Sequence, residues 1–299
     1  MTGIFTYRNF SLQDTPSLDG QVAVITVIVV ARSEDKFTTA REEWRCRQGI
    51  SLGEGDTRVD FVKCDLGDIK AVWAAAQQIK QKTEYIHILI CNAGLGIPTT
   101  ASQPHTIDPV FATNCISHQA LTTLLLPHLK KAATTTPRGA RVVVTSSSLH
   151  LLCRTLDPER LSSPPHKWPA LHDGVWRYAR SKLGNILFAK ELSRRLLEDE
   201  DGNPANRVFV NSYFPGNIVT AQWEVWGMYL GPWIGGLVRW LARVFGQSVE
   251  EGAATAVYLA TSGEVSEGGM RGRYFVPVAK DWIDAQVAET LGADWQSEK

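Results

Sequence analysis

Two strand-like apolar runs follow one another near the N-terminus with no connection between them. Residues 22–26 and 27–31 both have the β-branched, uncharged pattern of a buried strand. Neighbouring parallel strands need a crossover of about a dozen residues, usually a helix. We therefore predict that Ala23–Ala31 forms one long strand, or a strand and a disordered edge, because this run cannot supply two adjacent parallel strands.

Beyond this run, short apolar segments alternate with helix-period patterns, which is typical of a parallel sheet covered by helices on both faces. We predict an α/β fold with a doubly wound parallel sheet in a single domain over residues 1–299, since no linker or repeat divides the chain. Further strands are predicted at residues 59–64, 86–91, 141–145, 208–213 and 274–276. Helices are predicted at residues 34–47, 68–82, 106–131, 176–197 and 249–261, with Ser33 and Asp68 at the start of the first two.

The composition excludes several classes of partner. The chain carries 31 basic and 31 acidic side chains, so no net field attracts nucleic acid. Its five cysteines are odd in number and show no metal-ligand spacing, so we predict no metal site. Free thiols fit a reducing compartment, and we predict a cytoplasmic location.

A tryptophan-rich apolar segment lies at residues 222–247. A membrane-spanning helix needs about 20 apolar residues, whereas glycine and proline interrupt the uncharged stretch here, so we predict no transmembrane segment. We interpret the segment as an apolar lid or wall of a substrate pocket. A weak interfacial contact with a membrane and plain core packing are the alternatives.

Polar and small residues collect at the ends of the predicted strands. Asn92-Ala93-Gly94 follows one strand, Asn114 lies in the next helix, and Ser146-Ser147-Ser148 follows the next strand. Tyr178 and Lys182 then lie near the start of a long helix. The carboxyl ends of the strands in an open parallel sheet form the crevice where ligands bind, so these residues are candidates for one site.

Tyr178 and Lys182 are four residues apart and therefore share a helix face. A nearby ammonium stabilises a phenolate and lowers the phenol pKa from about 10 toward neutrality. The phenol can then act as a general acid toward a carbonyl or a base toward an alcohol. A serine hydroxyl within reach can hold the same oxygen. Each motif alone has an ordinary structural explanation, and it is their joint order that predicts hydride-transfer chemistry.

In this order the motifs resemble the short-chain dehydrogenase/reductase family, and most closely its retinol-dehydrogenase-type and fungal members, from about Asp19 to Pro277. The resemblance rests on these segments: Asp65-Leu66, Asn92-Ala93-Gly94, Asn114, Thr145-Ser146-Ser147-Ser148-Leu149-His150, Tyr178-Ala179-Arg180-Ser181-Lys182 and Pro215-Gly216-Asn217-Ile218-Val219-Thr220. It implies a Rossmann-like fold, interconversion of an alcohol and a ketone or aldehyde on an apolar substrate of small to medium size, and homodimers or tetramers. A tailoring step in secondary metabolism is an analogy from the fungal members.

The resemblance also implies roles for individual residues. Tyr178 would be the general acid/base, Ser147 would position the substrate oxygen, with Ser146 as the alternative, and Lys182 would tune Tyr178 and hold the nicotinamide ribose. Asn114 would support a proton relay through water. The further cofactor contacts that it implies are Asp65 and Leu66 at the adenine, Asn92 at the adjoining ribose with Ala93 and Gly94 beside it, and Ile218 and Thr220 at the nicotinamide carboxamide.

Arg32 follows the strand-like run at a position where NADP(H)-dependent members place a basic residue for the 2′-phosphate. The resemblance thus favours NADP(H) over NAD(H), although Arg32 is also explained as a solvated strand end.

The family's glycine-rich turn and first crossover helix are absent, because no glycine occurs between Thr26 and Gly49. One face of the sheet should therefore lack a covering helix, and the pyrophosphate should lack its backbone cradle. The alternative function is a catalytically inactive relative, a splice form or the product of a truncated gene model, with at most a binding role.

Overall fold

The computed structural model describes residues 15, 27–46, 59–98, 107–153, 155–157, 159–162, 170–198, 207–217, 236 and 247–282. Strands and helices alternate through these residues, which confirms the α/β class. The strands are β1 (Val27–Ala31), β2 (Val59–Lys63), β3 (Ile88–Cys91), β4 (Ala140–Thr145), β5 (Val208–Tyr213), β6 (Tyr274–Val276) and β7 (Lys280–Trp282). The helices are α1 (Glu34–Cys46), α2 (Ile69–Lys82), α3 (Pro109–Phe111), α4 (Ser117–Thr135), α5 (Glu159–Ser162), α6 (Ala170–Glu198), α7 (Val249–Thr261) and α8 (Gly263–Glu267).

The larger sheet has the strand order β3-β4-β5-β6-β7, and only β7 runs antiparallel to its neighbour. Side chains alternate between the two faces of a strand. Val142 and Val144 of β4 therefore pack in the cluster formed with α4 and α6, whereas Val143 packs with α7 on the opposite face. Helices thus cover both faces of this sheet, as predicted.

The smaller sheet contains β1 and β2, which pair in parallel from Val27 opposite Val59 to Ala31 opposite Lys63. Phe61 of β2 stacks on Phe37 of α1, with ring centroids 4.8 Å apart. The next residue, Val62, points to the other face and packs in the cluster that contains α2 and α4. The helix α4 therefore contributes to the cores of both sheets.

We predicted one sheet, and the described residues form two. The division lies between β1 and β3, and no described strand joins them. In a doubly wound sheet the first strand of the fold lies between the second and the fourth. Only residues 27–31 of the apolar run are described, and they pair with β2. The strand labelled β1 here is therefore not the first strand of the family's fold. The sheet divides between β1 and β3, where the family's first strand would lie.

Ile90 bears on the predicted loss of a covering helix, which stays a prediction. It lies in β3 on the same face as Ile88, which packs with the α7 cluster. Ile90 itself is 46% exposed, although strands of a parallel sheet are normally covered on both faces. The exposed side chain lies next to the division between the sheets.

Several boundaries differ from the sequence predictions. The long helix that carries Tyr178 and Lys182 begins at Ala170 rather than at residue 176. The helix predicted at 106–131 is composed of α3, a π-helical turn over Ala112–Ile116, and α4, which continues to Thr135. The antiparallel strand β7 was not predicted. Residues 23–26 of the predicted long strand lie outside the described residues, as do all but Gly236 and Gln247 of the segment 222–247.

No helix within the described ranges is long and apolar enough to cross a membrane.

Candidate active site

Tyr178 and Lys182 lie on α6 beside the carboxyl end of β4. The Lys182 Nζ atom lies 5.5 Å from the centroid of the Tyr178 ring. It also donates a hydrogen bond to the carbonyl oxygen of Thr145, the last residue of β4, at 3.1 Å. Asn185, one turn further along α6, donates to the same oxygen at 2.9 Å. The end of the strand and the helix are therefore joined directly at the predicted pair.

Lys182 is buried, with only 5% of its surface exposed. Burial disfavours the charged form and lowers the pKa of Lys182 to about 8. A lysine with that pKa is still mainly an ammonium at neutral pH. The site therefore holds a buried cation next to the phenol of Tyr178, as the sequence motif predicts.

The first two serines after β4 have different surroundings. Ser146 is buried, and its hydroxyl donates to the carbonyl oxygen of Lys182 at 2.8 Å. Ser147 is only half-buried and caps a 3₁₀ helix (Ser148–Leu152), where its Oγ atom accepts a bond from the backbone N–H of Leu149 at 3.3 Å. No described residue takes the Ser147 hydroxyl proton. The geometry favours Ser147 over Ser146 as the residue that can donate to a substrate oxygen.

His150 fixes the backbone of Ser147. Its ring Nδ1 lies 2.6 Å from the Ser147 carbonyl oxygen, so this nitrogen carries the proton that is donated. The His150 ring is buried and meets the ring of Tyr274 edge-on, with the centroids 4.9 Å apart. Packing against β6 thus holds the turn that presents Ser147.

Asn114 lies in the π-helical turn and is 1% exposed. Its Oδ1 accepts from the backbone N–H of Leu95 at 2.7 Å, and its Nδ2 donates to the Leu95 carbonyl at 2.9 Å and to Ser181 Oγ at 3.0 Å. Ser181 in turn donates to the carbonyl oxygen of Tyr178 at 2.8 Å. The Asn114 side chain therefore connects the turn after β3 with the turn of α6 that carries Tyr178. Its role in a proton relay stays a prediction.

The turn Asn92-Ala93-Gly94 is exposed at the end of β3. Gly94 is required there, because a Cβ atom would lie 2.7 Å from Asn114 Oδ1. The Asn92 Oδ1 atom accepts a hydrogen bond from the hydroxyl of Thr145 at 3.1 Å. This hydrogen bond joins the ends of β3 and β4 at the candidate site.

His118 is a site residue that the sequence reasoning missed. It is buried, its Nε2 lies 2.6 Å from the carbonyl oxygen of Ala93, and burial lowers its pKa. The ring is therefore neutral at pH 7 and donates from Nε2. His118 follows Asn114 by four residues, and both side chains bond to the turn after β3, at Ala93 and Leu95. This spacing is the signal that could have identified it.

Arg32, Asp65 and Leu66 lie together at the carboxyl ends of β1 and β2. The backbone N–H of Cys64 donates to the Ala31 carbonyl at 3.0 Å, so the parallel pairing continues up to these residues. Arg32 and Asp65 are exposed, and Asp65 Oδ1 accepts from the N–H of Gly67 at 2.9 Å. Leu66 is buried, and its carbonyl accepts a bond from Ser117 of α4.

The described residues therefore form two groups, one at the end of each sheet, and α4 contacts both. The predicted nicotinamide contacts Ile218 and Thr220 lie outside the described residues. Within the described part of the chain, no cluster of three or more histidine, cysteine, aspartate or glutamate residues could hold a metal ion.

Comparison with known proteins identifies the family. The family model for short chain dehydrogenases matches residues 23–152. A short-chain dehydrogenase/reductase of Armillaria gallica is 30% identical over 285 residues, which cover 91% of this chain and 85% of that protein. The chain belongs to the short-chain dehydrogenase/reductase family. It is therefore an oxidoreductase of a family whose members bind NAD(P) and small-molecule substrates.

Other relatives show how this short-chain dehydrogenase/reductase compares in length and fold. The WW domain-containing oxidoreductase of Gallus gallus is 30% identical over 282 residues, which cover 92% of this chain but only 60% of that protein. The L-sorbose reductase of Gluconobacter frateurii, solved with NADPH and L-sorbose, has a TM-score of 0.58 and 18% identity, covering 85% of this chain and 86% of that one. This likeness supports the Rossmann-like fold alone.

Proposed function

We propose that this short-chain dehydrogenase/reductase interconverts an alcohol and a ketone or aldehyde with NADP(H). The observation that carries the proposal is the position of buried Lys182 beside the Tyr178 ring, at the strand end that also presents Ser147. A phenol, a cation and a hydroxyl in this order suit proton transfer to an oxygen whose carbon gains or loses a hydride.

Each residue has a distinct part in the proposed reduction. The Ser147 hydroxyl donates a hydrogen bond to the carbonyl oxygen and orients it toward Tyr178. The Tyr178 phenol gives its proton to that oxygen as negative charge develops there, and the Lys182 ammonium stabilises the resulting phenolate. NADPH, when bound, supplies the hydride. In the alcohol-oxidising direction Tyr178 acts as the base.

The fit to NADP(H) differs along the length of the cofactor. Exposed Arg32 at the end of β1 offers a guanidinium for a 2′-phosphate, and the exposed turn after β3 lets a ribose approach the backbone. Lys182, which is hydrogen-bonded to Thr145, is the residue that we propose for the nicotinamide ribose. For the pyrophosphate, however, the sequence has no glycine-rich turn between Thr26 and Gly49. NAD(H) is the less favoured cofactor, since no acidic residue takes the place of Arg32.

Exposed apolar side chains close in sequence to the proposed site residues favour an apolar substrate of small to medium size. Leu151 and Leu152 follow the Ser147 turn, and Trp176 precedes Tyr178 on α6; all three are 44–46% exposed. A tailoring step in secondary metabolism, the lid at residues 222–247, a cytoplasmic location and assembly into dimers or tetramers remain predictions from the sequence.

An inactive relative with a binding role is the second candidate. The division of the sheet between β1 and β3 favours it, because the family's first strand and its glycine-rich turn would lie there. A titration with NADPH discriminates the two, with energy transfer from the chain's 10 tryptophans as the signal. Saturation at micromolar NADPH, together with NADPH oxidation on adding apolar aldehydes or ketones, supports the enzyme. An absence of both supports the inactive relative.

A further inference from the structure

A buried ion pair lies directly beside the catalytic turn of α6. Arg177 precedes Tyr178, and its Nε and a terminal nitrogen lie 3.0 and 2.9 Å from Asp108 Oδ1. The side chains of Arg177 and Asp108 are 3% and 1% exposed. Asp173, one turn earlier on α6, lies 3.6 Å from the same guanidinium and is also buried. This cluster is not among the residues that the family motifs identify.

Asp108 belongs to the segment that carries Asn114. It caps α3, where its Oδ1 accepts from the backbone N–H of Val110 at 3.0 Å, and α3 continues into the π-helical turn. The segment 108–114 is therefore joined to α6 at two points. One is Asp108 to Arg177, and the other is Asn114 to Ser181 at 3.0 Å.

These two links lie on either side of Tyr178 in the sequence of α6. Gly184, the next turn along, makes the approach close, because a Cβ atom there would lie 2.9 Å from Cys115 Sγ and from the ring of Phe111. The side chains of Phe111 and Cys115 therefore pack directly on the backbone of α6 at Gly184. A change of length at either link would rotate or shift the turn that presents the phenol.

Stability alone is a poor explanation for the buried charges. Desolvating an ion pair cancels much of its attraction, and apolar replacement of both partners is often neutral or stabilising. Two bonds from a planar guanidinium to one carboxylate oxygen do fix a geometry, however, since each bond weakens when its distance or angle changes. The pair is better suited to setting a position than to holding the fold together.

We propose that Asp108 and Arg177 are positioning residues, which hold the α6 turn so that the Tyr178 phenol faces Ser147 and Lys182. The proposal rests on the proposed role of Tyr178 as general acid/base. Asp108 and Arg177 act through Tyr178 and do not contact substrate.

The key variant is Asp108→Asn/Arg177→Met in the full chain. Asparagine keeps the helix cap, and methionine keeps most of the side-chain volume. The two charges of the Asp108–Arg177 pair disappear together, and buried Asp173 keeps Arg180 nearby as its counter-charge. Arg177→Lys keeps the charge but loses the planar fork. Arg194→Met is the matched control, because Arg194 forms an exposed ion pair with Glu191 on the same helix at 2.8 Å.

Two readouts are taken under conditions where circular dichroism shows each variant to be folded. The first is the NMR resonance of Tyr178 in chain labelled with [13Cζ]tyrosine, assigned by its loss in Tyr178→Phe. The second is kcat and KM for an apolar aldehyde with NADPH. We expect the Tyr178 resonance of the double variant to shift or split, and kcat to fall about 10- to 100-fold with KM for NADPH within about twofold. Arg177→Lys should lie between the double variant and the wild type, and Arg194→Met should match the wild type.

A folded double variant with the wild-type Tyr178 resonance overturns the proposal, whatever its melting temperature. If the double variant does not fold, Arg177→Lys is used instead. A shifted Tyr178 resonance in Arg177→Lys then supports the proposal, and the wild-type resonance overturns it. If the wild-type chain has no turnover with NADPH and an apolar aldehyde, the proposed function fails, and this result is separate from the test of the positioning residues. The resonance still reports whether the ion pair positions Tyr178, since that readout needs neither cofactor nor substrate.

Discussion

The ammonium of Lys182 lies 5.5 Å from the centre of the Tyr178 ring and is anchored on the carbonyl oxygen of Thr145. Lys182, one helical turn after Tyr178, is therefore tied to the end of a buried strand. This anchor holds the cation at the Tyr178 ring, and a cation near a phenol in general favours its phenolate form. Chemical predictions for this site depend on that contact.

Replacing Tyr178 with phenylalanine should abolish turnover and leave NADPH binding unchanged. The variant removes the proton donor but keeps the ring, and general acid–base groups contribute about 10²- to 10⁴-fold. Turnover is followed by NADPH absorbance and binding by tryptophan energy transfer. The control is Tyr85→Phe, since Tyr85 packs at the other end of β3, against Lys131. Turnover retained by Tyr178→Phe contradicts the assignment.

Lys182 should make the stability of the chain rise with pH in the alkaline range. Burial lowers its pKa from 10.5 to about 8, so between these values the unfolded chain binds more protons than the folded one. The free energy of unfolding should therefore increase from pH 8 to 10.5, on the order of 3 kcal/mol from this group. Urea unfolding of wild type and Lys182→Met at several pH values isolates the effect. Equal pH slopes in the two proteins would show that the ammonium is not buried.

Ser147→Ala and Ser146→Ala should affect different properties. Loss of the Ser147 hydroxyl removes a donor to the substrate oxygen, and we expect kcat to fall by about 10²-fold. Loss of the Ser146 hydroxyl breaks its buried bond to the Lys182 carbonyl and should lower the free energy of unfolding by about 1 kcal/mol. Steady-state kinetics and urea unfolding on both variants test this. A larger kinetic effect at Ser146 would reverse the assignment.

Arg32→Glu should invert the cofactor preference. A carboxylate repels the 2′-phosphate, whereas charge-assisted bonds to it are worth about 1.5–3 kcal/mol, or about 10- to 100-fold in affinity. Dissociation constants for NADPH and NADH measure the change. Lys36→Glu is the control, because Lys36 is an exposed cation in the first turn of α1. If both variants weaken NADPH equally, the effect is one of overall charge and Arg32 is only a solvated strand end.

Inserting a glycine-rich turn and a helix of about 20 residues after Thr26 should strengthen NADPH binding. The insertion supplies backbone N–H groups and a helix N-terminus for the pyrophosphate, and it allows a strand to lie between β1 and β3. The same insertion with alanine in place of each glycine is the control. Equal affinity of the unmodified chain and the glycine-rich variant would mean that another backbone segment binds the phosphates.

The strand and helix positions were largely predictable, because they depend on the local sequence pattern. Alternation and apolar runs identified β2, β4, β5 and β6 to within two residues, since side-chain period depends only on the local backbone. The short edge strand β7 has the sequence Lys-Asp-Trp, whose charges hide its strand character, and it forms by pairing with β6. The π-helical turn that carries Asn114 also has no period of its own in the sequence.

The sequence by itself determined the α/β class, the family and the order of Asn114, Ser147, Tyr178 and Lys182 at the strand ends, because these follow from local pattern and motif spacing. Only the tertiary structure decided that the sheet divides between β1 and β3 and that Asp108 meets Arg177. It also decided that the Ser147 hydroxyl, unlike that of Ser146, donates to no residue that the structure describes. Those outcomes depend on contacts between residues distant in the chain. The free energy of such contacts comes from burial and geometry, which no local pattern records.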